Sequence, residues 1–460
     1  MKDCATIVAM SGLSKSYLLN GDIKAGLMKL ALPLMVLNLV NSLYNIVDTF
    51  WVGKMGELQV GAVALIGPIM GCGSALVVGL SAAGISMISR ALGASDQQKA
   101  NEYATHLLVI AMLFGIVIGV GCLLFSSLIL DWLQTPADIY QDASAYLFGI
   151  SFDFLFLFIL NIFQTIRQAD GDARTAVVFN AIAAILNTIL DPFFIFTMHM
   201  GVLGAAIATV LSKVLVMPFV FYILFHDRDH VVCSFKSRMK WKVFKELIFV
   251  GIPASLAQFL SSFGFVLMNK SIVGYGSIAI SAYGLGNKVT DLYYIPVNAF
   301  GGALAPFIGQ NIGAGNRERA KECFKQAMIL TAICSAIVML IGLFASRYLV
   351  LLFVSDASNE LMNLTLEYCF YVVVTIFFMG WFQNIHGVFS GAGKTRLILY
   401  LSTFRLWGLR IPMIYLFYYF TDLGPAGIWW AMVISNFVTC LAGQFFYQQY
   451  HWLNNDEIKA

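Results

Sequence analysis

The sequence has few charged residues. Only 12% of its 460 residues are Asp, Glu, Lys or Arg, whereas a soluble globular protein has roughly 25%. Aromatic residues are not scarce, at 14%, so the low charge does not indicate disorder. The mean hydropathy of +0.80 and repeated apolar runs of about 20 residues instead predict a protein that crosses a membrane many times. The net charge of +3 is too small to indicate a nucleic-acid surface, and we expect no nucleic-acid partner.

Signals for catalysis, metal binding and secretion are also missing. None of the eight cysteines forms a CxxC pair or a Cys/His cluster. Most of them lie in apolar segments, where cysteine behaves as a small hydrophobic residue. The sequence has no HExxH motif and no nucleophile–base set, so we expect neither an enzyme nor a cofactor. The N-terminus is polar and lacks the basic start and short apolar core of a cleavable signal peptide.

Hydropathy predicts twelve spans, and the fold class is therefore an all-α polytopic membrane protein. The predicted ranges are 30–53, 60–89, 104–130, 141–167, 175–198, 202–226, 246–273, 279–311, 325–348, 362–390, 397–420 and 425–448. Lys and Arg concentrate in the links that follow even-numbered spans, whereas links 133–141 and 420–425 have none. The positive-inside rule therefore places the basic links and both termini in the cytoplasm.

The two halves of the chain resemble each other. Pro33 and Pro253, 220 positions apart, open the first span of each half. The same offset aligns short blocks, VGAVAL (60–65) with ISAYGL (280–285) and RALGAS (90–95) with QNIGAG (310–315). Six spans per repeat is an even number, so both repeats enter the membrane from the same side and are related by an axis along the membrane normal. The pattern predicts twelve transmembrane helices in two pseudo-symmetric six-helix lobes.

The repeat and the charged links together define the predicted domains. They are an N-terminal cytoplasmic segment (1–25), an N-lobe with helices one to six (26–226), a basic cytoplasmic linker (227–245), a C-lobe with helices seven to twelve (246–450) and a cytoplasmic tail (451–460).

Polar residues follow one face of the first span. They are Asn38, Asn41, Asn45 and Asp48, with Tyr44 close beside them. Steps of three, four and three place the first four along one side of a helix. A carboxylate at membrane depth is costly and by default marks an ion or substrate path. The equivalent of Asp48 in the second half is apolar, so this carboxylate is not a requirement of the repeated fold.

A second acidic residue, Asp191, lies near the end of the fifth predicted span. Asn187 lies four positions earlier on the same helical face, and the sixth span adds the hydroxyl group of Thr209. With Asp48 these side chains form an all-oxygen set that suits Na⁺ or a shared proton. Two carboxyl groups close together in a low dielectric are not easily both ionised. Two questions stay open: whether the aspartates only satisfy buried polar networks, and whether Asp153 in the fourth span is a helix-interface residue.

These motifs resemble those of the multidrug and toxic compound extrusion (MATE) transporters. The matching pieces cover nearly the whole chain: NIVDTFWVG (45–53), ADGDAR (169–174), Asn187 with DP (191–192), GVLGAAIAT (201–209), GAGKTR (391–396) and LRIP (409–412). Members of this family are secondary antiporters with twelve helices in two six-helix lobes. The resemblance implies the same architecture and activity for this chain.

The resemblance also implies roles for individual residues in the first lobe. In prokaryotic members this lobe holds a site for a proton or a sodium ion, which corresponds here to Asp48, Asn187, Asp191 and Thr209. We place Asn41, Tyr44 and Asn45 in the substrate cavity, to which the resemblance adds Tyr146, Asn161 and Gln164. Pro33 matches a proline whose helix bends on protonation in some members.

The second lobe departs from one branch of the family. That branch has acidic residues in its seventh and tenth spans, roughly where Ser261 and His386 stand here. The absence of both carboxylates argues against an ion site in the second lobe and favours coupling through the first. His386 is either a titratable residue of the cavity or a buried, hydrogen-bonded histidine.

These features predict a secondary active antiporter that exports amphipathic, mostly cationic organic compounds in exchange for H⁺ or Na⁺. The main alternative is a flippase for lipid-linked saccharides of the same superfamily, which would need a cationic cavity to hold pyrophosphate. A membrane enzyme and a channel are further alternatives. We expect a monomer surrounded by lipid in the inner (plasma) membrane of a prokaryotic cell, with cationic drugs or metabolites as its small-molecule partners.

Overall fold

The computed structural model describes residues 15–227, 229–235, 239–354 and 358–449. Within these ranges the regular structure is entirely helical. Each of the twelve predicted spans falls on a helix or on a broken helix, and the predicted all-α fold class is confirmed.

The first six spans follow a short helix, Lys15–Asn20. They are, in order, Ile23–Gly53; Glu57–Gly93; Gln97–Leu124 with Ser126–Trp132; Tyr140–Ser151 with Asp153–Asp170; Ala173–Pro192 with the π-helix Phe193–Thr197; and Gly201–His226. The fourth span bends by 44° at its break.

The last six spans repeat this order with different breaks. They are Trp241–Val273; Ser277–Gly313; Arg317–Phe353; Asn359–Gly391; Thr395–Thr403 with the π-helix Phe404–Arg410 and Ile411–Phe420; and Ala426–Gln449. Several helices are longer than predicted. The ninth span, for example, begins at Arg317 rather than near 325, because polar helix-forming residues continue the helix beyond the apolar stretch that hydropathy detects.

Length and composition identify most of these helices as able to cross a membrane. Within the described residues ten pass this test alone, and the bent pair Tyr140–Ser151 and Asp153–Asp170 makes an eleventh. The eighth span, Ser277–Gly313, is not among these eleven, although it is as long as its neighbours. It carries two charged residues, Lys288 and Asp291, near its middle.

The chain divides into two compact units. The first unit contains Val36–Ser255, and the second contains Ser16–Met35 together with the residues from Leu256 onwards. Both boundaries fall two residues after the repeated prolines, Pro33 and Pro253. The first and the seventh spans are therefore each shared between the units, and the proline that begins each repeat lies where its helix changes unit.

Close helix packing in each unit depends on glycine. In the first unit a Cβ atom on Gly115 would lie 2.8 Å from Leu155 Cα, and one on Gly119 would lie 2.5 Å from the Ser151 carbonyl oxygen. In the second unit a Cβ atom on Gly301 would lie 2.5 Å from the Gln383 carbonyl oxygen. Small residues of this kind let helix backbones approach closely in membranes.

The basic link between the two repeats is bound to the first unit. The amide of Val231 donates to Asp170 Oδ2 at 3.1 Å, and the amide of Lys240 donates to His106 Nε2 at 2.8 Å. The Lys240 ammonium group also pairs with Glu102. These contacts attach the described parts of the link to the ends of the third and fourth spans.

His230 provides an ionisable contact in this link. Its Nδ1 atom lies 2.7 Å from Asp170 Oδ2. Burial lowers the pKa of His230, but the hydrogen bond to Asp170 and the charges of Asp170 and Asp172 outweigh this effect, and the pKa is raised above its usual value. The contact is therefore stronger when His230 is protonated.

Candidate functional site

The polar side chains of the first, fifth and sixth spans meet inside the first unit. Asn187 Nδ2 donates to Asp191 Oδ1 at 3.1 Å and to Thr209 Oγ1 at 3.4 Å. The same Thr209 oxygen lies 3.4 Å from the hydroxyl oxygen of Tyr44. Thr209 is thus the common partner through which the three helices meet. Asn187, Asp191 and Thr209 are all buried.

Two oxygen atoms of this cluster have no hydrogen-bond donor. Asn187 Oδ1 and Asp191 Oδ2 are both buried and unpartnered. Buried polar atoms are nearly always paired, so such an exception requires an explanation. Carbonyl, carboxylate and hydroxyl oxygens are ligands that hard cations prefer, and a proton on Asp191 would provide a donor instead. The donor set therefore fits either Na⁺ or H⁺.

Asp48 lies on the first span, four residues after Tyr44 and therefore one helical turn further along. Its side chain is only partly exposed. It is close enough to Asp191 and to Lys213 for their charges to interact. The sequence places Asp48 and Asp191 on separate helices, and in the structure their charges interact.

A buried ion pair stands beside this cluster. Lys213 Nζ donates to both carboxylate oxygens of Asp153 at 2.6 Å. Asp153 is only 1% exposed. Lys213 follows Thr209 by four residues on the sixth span, so it lies on the same helical face. Sequence reasoning overlooked Lys213. The only available signal was this spacing, which matches that of Asn187 and Asp191.

Two other predicted cavity residues of the first unit, Tyr146 and Asn161, differ in their partners. Tyr146 is partly buried and interacts electrostatically with Asp48, Asp153 and Asp191. Asn161 Nδ2 donates to the carbonyl oxygen of Leu157 on its own helix.

The remaining predicted residues differ in their exposure and in the unit to which they belong. Gln164 is partly buried, and the side chains of Asn41 and Asn45 are exposed. His386 and Pro33 belong to the second unit. The ring of His386 lies 6.5 Å from that of Phe382, and its charge interacts with that of Arg405. Within the first unit the structure therefore brings together Asp48, Tyr44, Tyr146, Asn187, Asp191 and Thr209, and His386 belongs to the second unit.

A metal site with conventional ligands is not formed in the part of the chain that the structure describes. There, no three His, Cys, Asp or Glu side chains are grouped so that they could hold a metal ion. The seven cysteines within the described ranges are free thiols. The oxygen cluster around Thr209 is thus a different type of site, with two carboxylates complemented by an amide and hydroxyl groups.

Comparison with known proteins relates the chain to a transporter family. The sequence model of the MatE family matches residues 33–193 and again residues 253–416. The two matches begin 220 positions apart, at the two repeated prolines. One family unit is therefore present twice, in agreement with the predicted repeat.

Relatives of the chain match it along almost its full length. The probable multidrug resistance protein YpnP of Bacillus subtilis is 28% identical over 94% of this chain and 96% of its own length. The probable multidrug resistance protein NorM of Thermotoga maritima is 24% identical over 90% of this chain and 89% of its own length. A solved structure, described as the outward-facing conformation of a multidrug resistance MATE family transporter, superposes with a TM-score of 0.90. The two sequences are 26% identical, and the superposition covers 95% of this chain and 98% of the solved one.

Proposed function

The chain belongs to the MatE family of membrane transporters, and on that premise we propose that it is a secondary antiporter that exports organic cations in exchange for H⁺ or Na⁺. The observation that carries this proposal is the buried oxygen cluster around Thr209, in which Asn187 Oδ1 and Asp191 Oδ2 have no donor. The relatives YpnP and NorM are probable multidrug resistance proteins, which supports drug-like substrates for this chain.

The coupling ion binds among Asp48, Asn187, Asp191 and Thr209 in this proposal. Two ionised carboxyl groups in one low-dielectric environment repel each other, and a proton or Na⁺ removes part of that cost. Asn187 orients Asp191 through its hydrogen bond, and Tyr44 completes the ring of polar groups through Thr209. Pro33 lies near the point where the first span changes unit, and we assign it the role of a bend that responds to ion binding.

Exchange follows from competition for the same negative charge. An ion that enters from outside neutralises the cluster, weakens the attraction of the cavity for a cationic substrate and favours release of that substrate outward. Release of the ion inside restores the negative charge. Ion binding shifts the balance between outward-facing and inward-facing states only by its difference in affinity for the two. Substrates of this class are amphipathic and contact Tyr44, Tyr146 and the neighbouring polar residues.

The cellular setting is proposed from the same observations. The bacterial relatives support a plasma-membrane location, and the basic links support cytoplasmic termini under the positive-inside rule. We propose that a monomer is sufficient, because each cluster described above is complete within one chain. The flippase alternative is not favoured, since acidic side chains surround the first-unit cluster and Lys213 is already paired with Asp153.

Transport in proteoliposomes tests the proposal. The purified full chain is reconstituted with ethidium as the cationic probe, and a proton gradient and a sodium gradient are imposed separately. The wild type should accumulate ethidium under at least one gradient. Asp48→Asn should reduce the driven rate by about tenfold or more, as expected when a group used in the coupled step is removed. Asp138→Asn, which removes an exposed carboxylate from the same unit, is the matched control.

Two results would overturn the proposal. Full gradient-driven transport by Asp48→Asn would remove this residue from the coupling site. A wild type that moves ethidium at the same rate with and without either gradient would exclude secondary antiport of this probe.

A further inference from the structure

Two arginines of the second unit lie in a rare type of helix. Arg405 and Arg410 both belong to the π-helix Phe404–Arg410 of the eleventh span. In a π-helix the hydrogen bonds join residues five apart, so positions 405 and 410 lie one turn apart and near the same face. An α-helix would turn them well away from each other. π-helical turns are uncommon and often occur at functional sites.

Arg405 is held by apolar groups and retains an unused donor. Its guanidinium carbon lies 4.8 Å from the centre of the Phe382 ring, and its Nη1 atom lies 3.3 Å from Met379 Sδ. A cation–π contact positions the group but does not satisfy its N–H donors. Its Nε atom is buried and has no hydrogen-bond acceptor.

Within the described ranges, the hydrogen bonds of Arg410 go to neutral groups. Its Nε atom donates to Ser435 Oγ at 3.0 Å and its Nη2 atom donates to Asn436 Oδ1 at 2.6 Å, and the residue is only 3% exposed. Across the described residues, no ion pair involves Arg405 or Arg410. A buried charge is normally paired with an opposite charge, because transfer from water is otherwise costly.

The surroundings of the two arginines include a histidine and a further hydroxyl group. Arg405 and Arg410 are close enough to repel each other, and His386 lies within electrostatic range of Arg405. The Tyr294 hydroxyl group of the eighth span interacts with both guanidinium groups. The carboxylate that acts on Tyr294 belongs to Asp291, an exposed residue.

We propose that Arg405, Arg410 and Tyr294 form a binding site for one negatively charged group, a carboxylate, sulfonate or phosphate. An anion there would accept from the free Nε donor of Arg405 and offset the repulsion between the two guanidinium groups. Arginine suits this role because its planar group donates two parallel hydrogen bonds to such anions. The site extends the substrate range beyond the organic cations proposed above, to compounds or lipids that carry an acidic group.

A purely structural role explains Arg410 better than it explains Arg405. Arg410 links the eleventh span to the twelfth through two good hydrogen bonds. Arg405 is partly buried and makes no hydrogen bond to a nitrogen or oxygen acceptor among the described residues, so its buried Nε donor stays unsatisfied. Arg405 is therefore the residue whose substitution tests the proposal.

Ligand-induced thermal stabilisation of the purified full chain in detergent measures this site. The probes are 2-naphthoate, inorganic phosphate and dioctanoyl phosphatidylglycerol, with dioctanoyl phosphatidylcholine as the lipid control. A ligand that binds only the folded state raises the melting temperature, and the rise grows with the logarithm of its concentration above the Kd. At least one anionic probe should raise the melting temperature of the wild type, and the shift should be lost in Arg405→Gln. The lipid control should give no Arg405-dependent shift.

Matched variants separate binding from folding. Arg347→Gln removes an exposed arginine of the same unit and should keep the full shift, and Arg405→Lys should keep part of it because the charge remains. A shift with 2-naphthoate identifies the ligand as an organic anion. A shift with phosphate alone identifies a small inorganic anion, and a shift with phosphatidylglycerol identifies a lipid phosphate. Equal shifts in the wild type and Arg405→Gln, or no shift with any probe, would overturn the site. The measurement uses no gradient, so it is independent of the antiport proposal.

Discussion

Lys213 and Asp153 form an ion pair inside the first unit in which one ammonium group donates to both oxygens of one carboxylate, each at 2.6 Å. The two residues are 60 positions apart, on the sixth and fourth spans. Asp153 is almost inaccessible, and the Lys213 side chain is 16% exposed. The pair joins the two helices beside the oxygen cluster, so Asp153 already has a cationic partner, whereas Asp191 Oδ2 has no hydrogen-bond donor among the described residues.

Loss of Lys213 should destabilise the protein. In Lys213→Met the Asp153 carboxylate would remain buried without its partner, and removing one member of a buried pair costs about 3 kcal/mol or more. We expect a lower melting temperature of the purified protein in detergent.

The double variant Asp153→Asn with Lys213→Met distinguishes this cause from a general packing defect. Removing both charges should recover most of the lost stability, because the buried unpaired carboxylate is then absent. A double variant that is as unstable as Lys213→Met would contradict the explanation.

Asn187 should matter for transport more than a similar asparagine elsewhere on its helix. Asn187→Ala removes the donor to Asp191 and to Thr209. Asn180 donates only to the carbonyl oxygen of Ala176, and Asn180→Ala is the control. We expect the gradient-driven ethidium rate to fall by about tenfold in Asn187→Ala, the scale found when an orienting partner of an ion ligand is removed.

The same assay shows whether this effect is local. Asn180→Ala should transport ethidium within about twofold of the wild type, since its hydrogen bond stays within one helix turn. If both variants lose transport equally, the loss reflects helix stability and not the orientation of Asp191.

The link between the repeats should loosen as pH rises. The pKa of His230 is raised in the folded protein by its contact with Asp170. Such a group makes its full contribution to stability below the unfolded pKa of about 6.5. This contribution is lost as the pH rises through the pKa of the folded state. Hydrogen exchange of the Val231 amide, which also donates to Asp170, should become several-fold faster across that window after correction for intrinsic rates.

Two histidine variants assign this pH dependence. His230→Gln should make the corrected exchange rate nearly independent of pH in the same window. His226→Gln should preserve the wild-type profile, because His226 is stacked on Tyr222 and its Nδ1 atom donates to the Tyr222 carbonyl oxygen of its own helix. An unchanged profile in His230→Gln would show that another group is responsible.

A glycine pair on the third span tests the helix packing. Gly119→Ala would place a Cβ atom 2.5 Å from the Ser151 carbonyl oxygen, whereas a Cβ atom on Gly121 would meet nothing within 4 Å. We expect Gly119→Ala to lower stability by about 1–3 kcal/mol through overpacking. Gly121→Ala should be neutral or slightly stabilising, because alanine favours helix more than glycine does. Equal melting temperatures for the two variants would refute this account of the contact.

Much of the fold follows from the sequence because membrane helices have a strong, local signal. Length and hydropathy located all twelve spans, and the offset of 220 revealed the repeat. A spacing of four predicted that Asn187 and Asp191 share a face, and their side chains are hydrogen-bonded at 3.1 Å. These features depend on residues within one helix, so periodicity is sufficient to find them.

Features that depend on contacts between helices were not predictable in the same way. Lys213 resembles any single lysine of an apolar helix until its partner is known to lie 60 positions earlier. The π-helices Phe193–Thr197 and Phe404–Arg410 have no distinctive local pattern, although the second one decides that Arg405 and Arg410 are neighbours. The exposed positions of Asn41 and Asn45 likewise depend on how neighbouring helices cover the first span.

The shared first span has a consequence for the order in which the protein is made. Ser16–Met35 leaves the ribosome before Val36–Ser255 but belongs to the same unit as the residues from Leu256 onwards, where Asn311 donates to the Leu18 carbonyl oxygen. The contacts of Ser16–Met35 are therefore complete only after the residues from Leu256 onwards have been made. Deletion of Ser16–Met35 would remove residues from the unit that is completed last, while Val36–Ser255 would lose none.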